Sequence, residues 1–212
     1  MTPDRREPTV YLVDDDAAVR DALAFLLGTV GLHVRAFPDG PALLHGLDPG
    51  DLGCLLLDIR MPHVSGLQLQ AELRARGVDL PVVIMTGHGN VDLCRRAFQQ
   101  GAVDFLEKPI DETALLETVQ RAIHAHLRQR ERLAASADAR AHLARLTERE
   151  REVLTGLMNG QTGKQSARQL GISVRTVETH RASIFEKLEV ASLAELMRTY
   201  LNVTEPPEGP PG

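Results

Sequence analysis

Five short apolar runs, each followed by a stretch with helical spacing, constrain what this chain can fold into. The runs are Val10–Val13, His33–Phe37, Cys54–Leu57, Val82–Met85 and Val103–Leu106. Helix-period segments follow them at roughly 16–29, 40–47, 65–76, 90–100 and 111–128. In the first of these, Val19, Ala22, Leu23, Leu26 and Leu27 recur at three- and four-residue intervals, which lines one face of a helix. Strands buried on both faces read as continuous apolar runs, and successive parallel strands need a crossover between them. The alternation therefore predicts an α/β fold, a five-stranded parallel (βα)5 sheet covered on both sides. "DLP" and "GHGN" bracket the fourth run as loop signals.

Beyond residue 128 the pattern changes. "HAHLRQRERLAASADARAHLAR" is rich in Ala and Arg and poor in large apolar groups, so 129–145 reads as an exposed helical or partly flexible linker. Whether it continues the fifth helix stays open at this point. Residues 146–202 carry four short helical patterns. Thr147 with Glu150 forms a capping-box signal, "GKQSARQLGIS" gives a short helix ending at Gly171, and Ser173 is an N-cap for "VRTVETHRASIFEKLEV". A helix, a Gly-containing turn and a second helix make a helix-turn-helix, here within an all-α four-helix domain. The tail at 203–212, "TEPPEGPPG" in the main, is expected to be disordered.

Charge is unevenly spread. Residues 1–124 hold 11 Lys/Arg against 18 Asp/Glu, residues 125–145 hold 5 against 2, and residues 146–212 hold 8 against 9. The acidic first part points away from nucleic acid, and the last part leaves that question open. There is no run of about 18 apolar residues, so no membrane span is expected, and "MTPDRREPTV" has no apolar signal region. Cys54 and Cys94, far apart in apolar surroundings, read as small buried hydrophobes, and a reducing cytoplasm fits best.

The chemistry gathers where the strands end. The first run stops at Asp14, Asp15 and Asp16, although carboxylates about 4 Å apart repel by roughly 4 kcal/mol at an effective dielectric near 20. The third run stops at Asp58, the fourth at Thr86, and Lys108 follows the fifth. In parallel sheets ligands bind at these carboxyl ends. Singly, each residue has an ordinary reading: Asp16 as a helix cap, Lys108 as a solvated lysine. Together, Asp14, Asp15 and Asp58 suit Mg²⁺, a hard cation that takes oxygen ligands. A carboxylate beside such an ion can accept a phosphoryl group, with Lys108 and Thr86 neutralising charge.

"VDDD", "LLLDIRMPHVSGL", "VVIMTGHG" and "GAVDFLEKP" resemble, in order and spacing, the receiver domain of two-component response regulators, and "TGHG" with "GAVDFLEKP" is similar to the FixJ branch. The resemblance covers residues 8–128 and implies a flavodoxin-like fold. It also implies that Asp58 is the phosphoacceptor and Asp15 a direct Mg²⁺ ligand, with Asp14 in support and the Arg60 carbonyl as a further ligand. Thr86 would contact the phosphoryl group, Phe105 would be the switch aromatic, and Lys108–Pro109 would be a cis peptide.

"LTEREREVL", "GKQSARQLGIS" and "VRTVETHRASIFEKLEV" resemble the NarL/FixJ (LuxR-type) helix-turn-helix. That resemblance places a recognition helix from about Val174 to Glu189. It puts Arg175, Thr176, Glu178, Thr179, His180, Arg181 and Ala182 near double-stranded DNA, while Val177, Ile184 and Leu188 follow the apolar stripe into the core. Lys164, Arg175 and Arg181 could meet phosphates, and Glu178 can accept from cytosine N4 or lie on a solvated face. The family usually carries a larger apolar residue where this chain has Ser166.

The resemblance implies a regulator rather than an enzyme. A sensor histidine kinase would phosphorylate Asp58, and the face built from 90–128 would then favour a homodimer bound to a two-half-site operator. Two rivals remain at this stage. One is a constitutive DNA binder without phosphorylation control. The other is a phosphatase of the haloacid dehalogenase type, which needs an acid two residues after its nucleophile; position 60 is Arg.

Overall fold

Three strands of this chain, the first, third and fourth, are apolar enough to be buried on both faces, and they occupy the centre of one parallel sheet. The computed structural model describes residues 7–48, 50–62, 65–87 and 91–204. The strands are β1 (Thr9–Val13), β2 (His33–Phe37), β3 (Gly53–Asp58), β4 (Val82–Thr86) and β5 (Ala102–Glu107). They pair in parallel in the order β2-β1-β3-β4-β5. β3 and β4 are buried along their whole length, whereas β2 and β5 lie at the edges and are partly exposed.

Helices α1 (Ala17–Thr29), α2 (Gly40–Gly46), α3 (Gly66–Ala75), α4 (Val91–Gln99) and α5 (Glu112–Ala144) alternate with the strands. Side chains alternate across a strand, so each face of the sheet builds its own core. Val10, Leu12, Cys54, Leu56, Val83, Met85 and Leu106 pack with Leu23 and Leu27 of α1 and with Leu115, Val119 and Ile123 of α5. Tyr11, Val13, Leu55, Leu57 and Ile84 pack on the opposite face with Leu43, Leu67, Leu69, Leu73 and Ala97. Each fully buried leucine contributes about 1.5–3 kcal/mol. Burial raises the Cys54 thiol to about 12, so it is an inert core group. The side chain of Cys94 lies outside the described residues, as does much of "GHGN".

Two glycines let backbone approach backbone. A Cβ at Gly53 (φ 136°) would fall 1.8 Å from the Thr9 carbonyl oxygen, where β3 begins beside β1. A Cβ at Gly66 would fall 2.4 Å from the Asp58 carbonyl oxygen, so α3 can start directly against the end of β3. At the foot of the sheet, buried His126 of α5 sets Nδ1 within 3.2 Å of Gly53 N and 3.1 Å of Gly53 O.

The chain divides into two compact units, Met1–Arg130 and Glu131–Gly212. The segment read as a helical or partly flexible linker is helical as far as Ala144 and forms the second half of α5, a 33-residue helix. No Gly or Pro interrupts it from Glu112 to Ala144, so nothing in the backbone stops it.

The second unit holds α6 (Glu148–Met158), α7 (Gly163–Leu170), α8 (Val174–Lys187) and α9 (Leu193–Thr204). Thr147 and Thr162 complete capping boxes with Glu150 and Gln165, Ser173 caps α8, and Gly171 ends α7 in the left-handed conformation. Leu146, Val153, Leu154, Leu157, Val177, Ile184, Leu188, Leu196 and Tyr200 form the core, joined by Ala139 of α5. Two boundaries differ from the expected ones. α8 stops at Lys187 because Leu188 caps it and Glu189 takes a φ of 55°. Val203 and Thr204 end α9, while the rest of the expected disordered tail lies outside the described residues.

Candidate functional site

The order of the sheet reverses between β1 and β3, and a crevice opens at the carboxyl ends of neighbouring strands at such a point. Val13 and Leu57 are register partners, so the residues that follow, Asp14 and Asp58, emerge side by side. One oxygen from each of Asp14, Asp15 and Asp58 lies within 4.8 Å of the others. Asp14 and Asp58 are buried, and Asp15 is exposed. Asp16 belongs to a different structure: its carboxylate caps α1 by accepting from Ala18 N at 2.8 Å.

Lys108 enters this pocket from beyond β5. Its Nζ lies 2.6 Å from Asp14 Oδ2 and 3.0 Å from Asp58 Oδ1. Asp14 Oδ1 also accepts from Asp16 N at 3.0 Å, and Asp58 Oδ2 accepts from Arg60 N at 3.2 Å. Burial pushes the Asp58 carboxyl above its ordinary value against the pull of the Lys108 ammonium, and the Asp14 charge adds to the rise. Burial pulls the Lys108 ammonium down, but its two carboxylate partners outweigh that and leave it raised. Three carboxylates and one ammonium carry a formal charge of −2. All the donors are hard oxygens, so the set fits a divalent ion such as Mg²⁺.

Thr86 ends β4 fully buried, and its carbonyl accepts from Lys108 N at 2.7 Å. The Lys108–Pro109 peptide is cis. Phe105 does not enter the pocket. Its ring is 43% exposed and meets Phe98 edge to face at 6.2 Å, with Val103 also exposed nearby on β5. Arg60, exposed, takes part through its main chain.

In the second unit, Lys164, Arg175, Glu178, Thr179 and Ala182 are exposed, and Thr176, His180 and Arg181 are half-buried. Several of these groups already have partners. Arg181 Nη1 donates to Glu178 Oε1 at 3.2 Å, Thr179 Oγ1 to Arg175 O at 3.0 Å, and the Thr176 hydroxyl pairs with that of Ser173 at 2.8 Å. Ser166 is buried, and its hydroxyl donates to Gln161 Oε1 at 3.3 Å. Its near neighbour is Gly156, where a Cβ would fall 2.9 Å from Ser166 Oγ.

Two features were not foreseen from the pattern. Arg20 Nη1 donates to the carbonyls of Asp14 at 2.7 Å and Asp15 at 3.0 Å. The only local signal was its position four residues after Asp16. Glu150, read only as a cap, is also the buried partner of Lys187 Nζ at 2.8 and 2.7 Å and of the Ser183 hydroxyl at 2.7 Å. Burial raises its carboxyl, but these donors and Thr147 outweigh burial and hold it at about 2.

Comparison with known proteins agrees with both halves. Residues 10–120 match the response regulator receiver domain, and residues 144–200 match the luxR family of bacterial regulatory proteins. The transcriptional regulatory protein FixJ of Azorhizobium caulinodans is 45% identical, over 91% of this chain and 91% of its own length. The response regulator protein TmoT of Ectopseudomonas mendocina is 37% identical, over 91% of this chain and 88% of its own. Among solved structures, the response regulator StyR superposes with a TM-score of 0.82 at 38% identity, covering 93% of this chain and all of that one (100%). With a receiver domain, a LuxR-type domain and such relatives over most of its length, this chain belongs to the NarL/FixJ family of two-component response regulators.

Proposed function

We propose that this chain is a phosphorylation-controlled transcription regulator whose phosphoacceptor is Asp58. The observation that carries the reading is the Lys108 ammonium between Asp14 and Asp58, with the Asp15 carboxylate beside them. Asp14, Asp15, Asp58 and the Arg60 carbonyl would hold Mg²⁺. When bound, the ion supplies charge neutralisation for an incoming phosphoryl group. The residues do the rest. An Asp58 carboxylate oxygen attacks phosphorus, an acyl phosphate forms, and the P–N bond to the imidazole of a sensor kinase histidine breaks. The leaving nitrogen keeps the bonding pair and takes a proton. As Asp58 is modified, Lys108 exchanges its pairing with the Asp58 carboxylate for the phosphoryl oxygens while Asp14 still holds it, and the Thr86 hydroxyl is the second donor.

The added charge is read out on the side of the sheet formed by α4, β5 and the first half of α5. Phe98, Val103 and Phe105 expose apolar surface there, which supports a phosphorylation-dependent homodimer. Two copies of α8 would then address two half-sites of double-stranded DNA, with Arg175 and Lys164 on phosphates and Glu178 and Ala182 toward base edges. The kinase and the DNA are the expected partners. Among the described residues no helix is long and apolar enough to cross a membrane, and the cytoplasm is the proposed compartment.

Acetyl phosphate with Mg²⁺ should add one phosphoryl group to the intact chain, and Asp58→Ala should remain unlabelled. Equal labelling of Asp58→Ala removes the assignment. Operator affinity that ignores the label leaves a constitutive DNA binder, and sustained turnover of a phosphomonoester points to a phosphatase.

A further inference from the structure

The three carboxylates of the acidic pocket are not held alike. Asp14 is fixed by Lys108 and by Asp16 N, and Asp58 by Lys108 and by Arg60 N. Asp15 is exposed, and among the described residues no group bonds to its carboxylate. Its position therefore depends on its main chain, in the turn that leads from β1 to α1. That turn carries three successive like charges, which favour spreading apart rather than converging.

Besides the Asp14 and Asp16 carboxylates, which accept from main-chain N–H groups, Arg20 ties the carbonyls of this turn. Arg20 stands one helical turn after the Asp16 cap, where its own N–H donates to Asp16 O at 3.1 Å. From there its guanidinium folds back, and a single nitrogen, Nη1, bridges Asp14 O at 2.7 Å and Asp15 O at 3.0 Å. Charge-assisted bonds of this kind are about twice as strong as neutral ones, and the planar guanidinium is a rigid donor. The two carbonyls are thereby kept on one side, which fixes where the Asp15 carboxylate leaves the chain.

We propose that Arg20 is a positioning residue of the acidic pocket, one that ties the carbonyls of Asp14 and Asp15 so that the Asp15 carboxylate stands ready for a divalent cation; this rests on the Mg²⁺ reading of the pocket given above. The sign of the effect separates this role from a mere charge nearby. A guanidinium beside a cation site repels the cation, so removing it should tighten binding if charge were its whole contribution. A guanidinium that organises the ligands should, when removed, weaken binding.

The test is calorimetric titration of Mg²⁺ into the full chain, which reads affinity without any phosphorylation. Arg20→Ala and Arg20→Met should both weaken binding about tenfold, or about 1.4 kcal/mol, the lower end of what outer partners of metal ligands contribute. Arg20→Lys keeps a donor without the rigid plane and should lie between them and the parent. Arg20→Met retains a long helix-forming side chain and carries the test if Arg20→Ala fails to fold. Unchanged or tighter Mg²⁺ binding in the folded variant overturns the proposal. If the parent chain binds no Mg²⁺, the reading of the pocket itself fails, a different outcome from failure of the Arg20 role.

Discussion

Replacing Lys187 by Met would strand the Glu150 carboxylate inside the second unit. Glu150 is 4% exposed, and Lys187 supplies both of its ammonium contacts, at 2.8 and 2.7 Å. Its carboxyl is held at about 2, against an ordinary value of 4.5. At 1.36 kcal/mol per pH unit, that difference is worth at most about 3 kcal/mol. Because the folded value is depressed, this stability is fully present above about pH 4.5 and is lost as the pH falls toward 2. Removing one member of a buried pair costs about 3–5 kcal/mol. Ser183 and Thr147 still donate to the carboxylate, and Lys187 is one-third exposed, so the lower end applies. For a unit of this size, about 3 kcal/mol lowers the melting temperature by roughly 12–24 °C. Calorimetry of the full chain measures the loss, and amide exchange at Val177 and Ile184 assigns the transition to this unit. Lys187→Met should also flatten the acid slope between pH 4.5 and 2, and Glu150→Gln combined with Lys187→Met should regain part of the stability. A loss below about 1 kcal/mol, or an unchanged acid slope, refutes the account.

Further outcomes follow from other contacts. Gly66→Ala forces a Cβ toward the Asp58 carbonyl, 2.4 Å away, and should cost about 1–3 kcal/mol in denaturant unfolding and slow acetyl phosphate labelling of Asp58. His126→Ala removes a buried ring with two main-chain contacts at Gly53 and should destabilise the first unit by about 2–4 kcal/mol, read by exchange at Leu56 and Val83. Phe98→Ser should abolish the phosphorylation-dependent rise in mass by light scattering while leaving labelling intact. Arg175→Ala should weaken binding to all DNA sequences alike and reduce the salt slope by about one.

Much of the architecture was legible because burial leaves a local mark. Cys54–Leu57 and Val82–Met85 each gained only end residues, since a strand buried on both faces is simply a continuous apolar run, and the partly exposed edge strand His33–Phe37 keeps its predicted bounds. The caps at Asp16, Thr147 and Ser173 were legible too, because capping couples residues two or three positions apart. The length of α5 was not. An exposed Ala/Arg-rich helix and a flexible linker share a composition, and only the absence of Gly and Pro favoured the helix.

By itself the sequence determined the alternation of strands and helices, the helix-turn-helix, and which polar residues stand at strand ends, since all of these depend on neighbours within a few positions. Tertiary structure alone decided that Lys108 bridges Asp58 and Asp14, the latter 94 residues away along the chain, and that Glu150 faces Lys187. It decided as well that Arg20 folds back on the turn rather than into solvent. Spacing along a chain fixes which face a side chain occupies. Which distant face it meets is settled by how the elements pack, and the charge of the pocket exists only once they have packed.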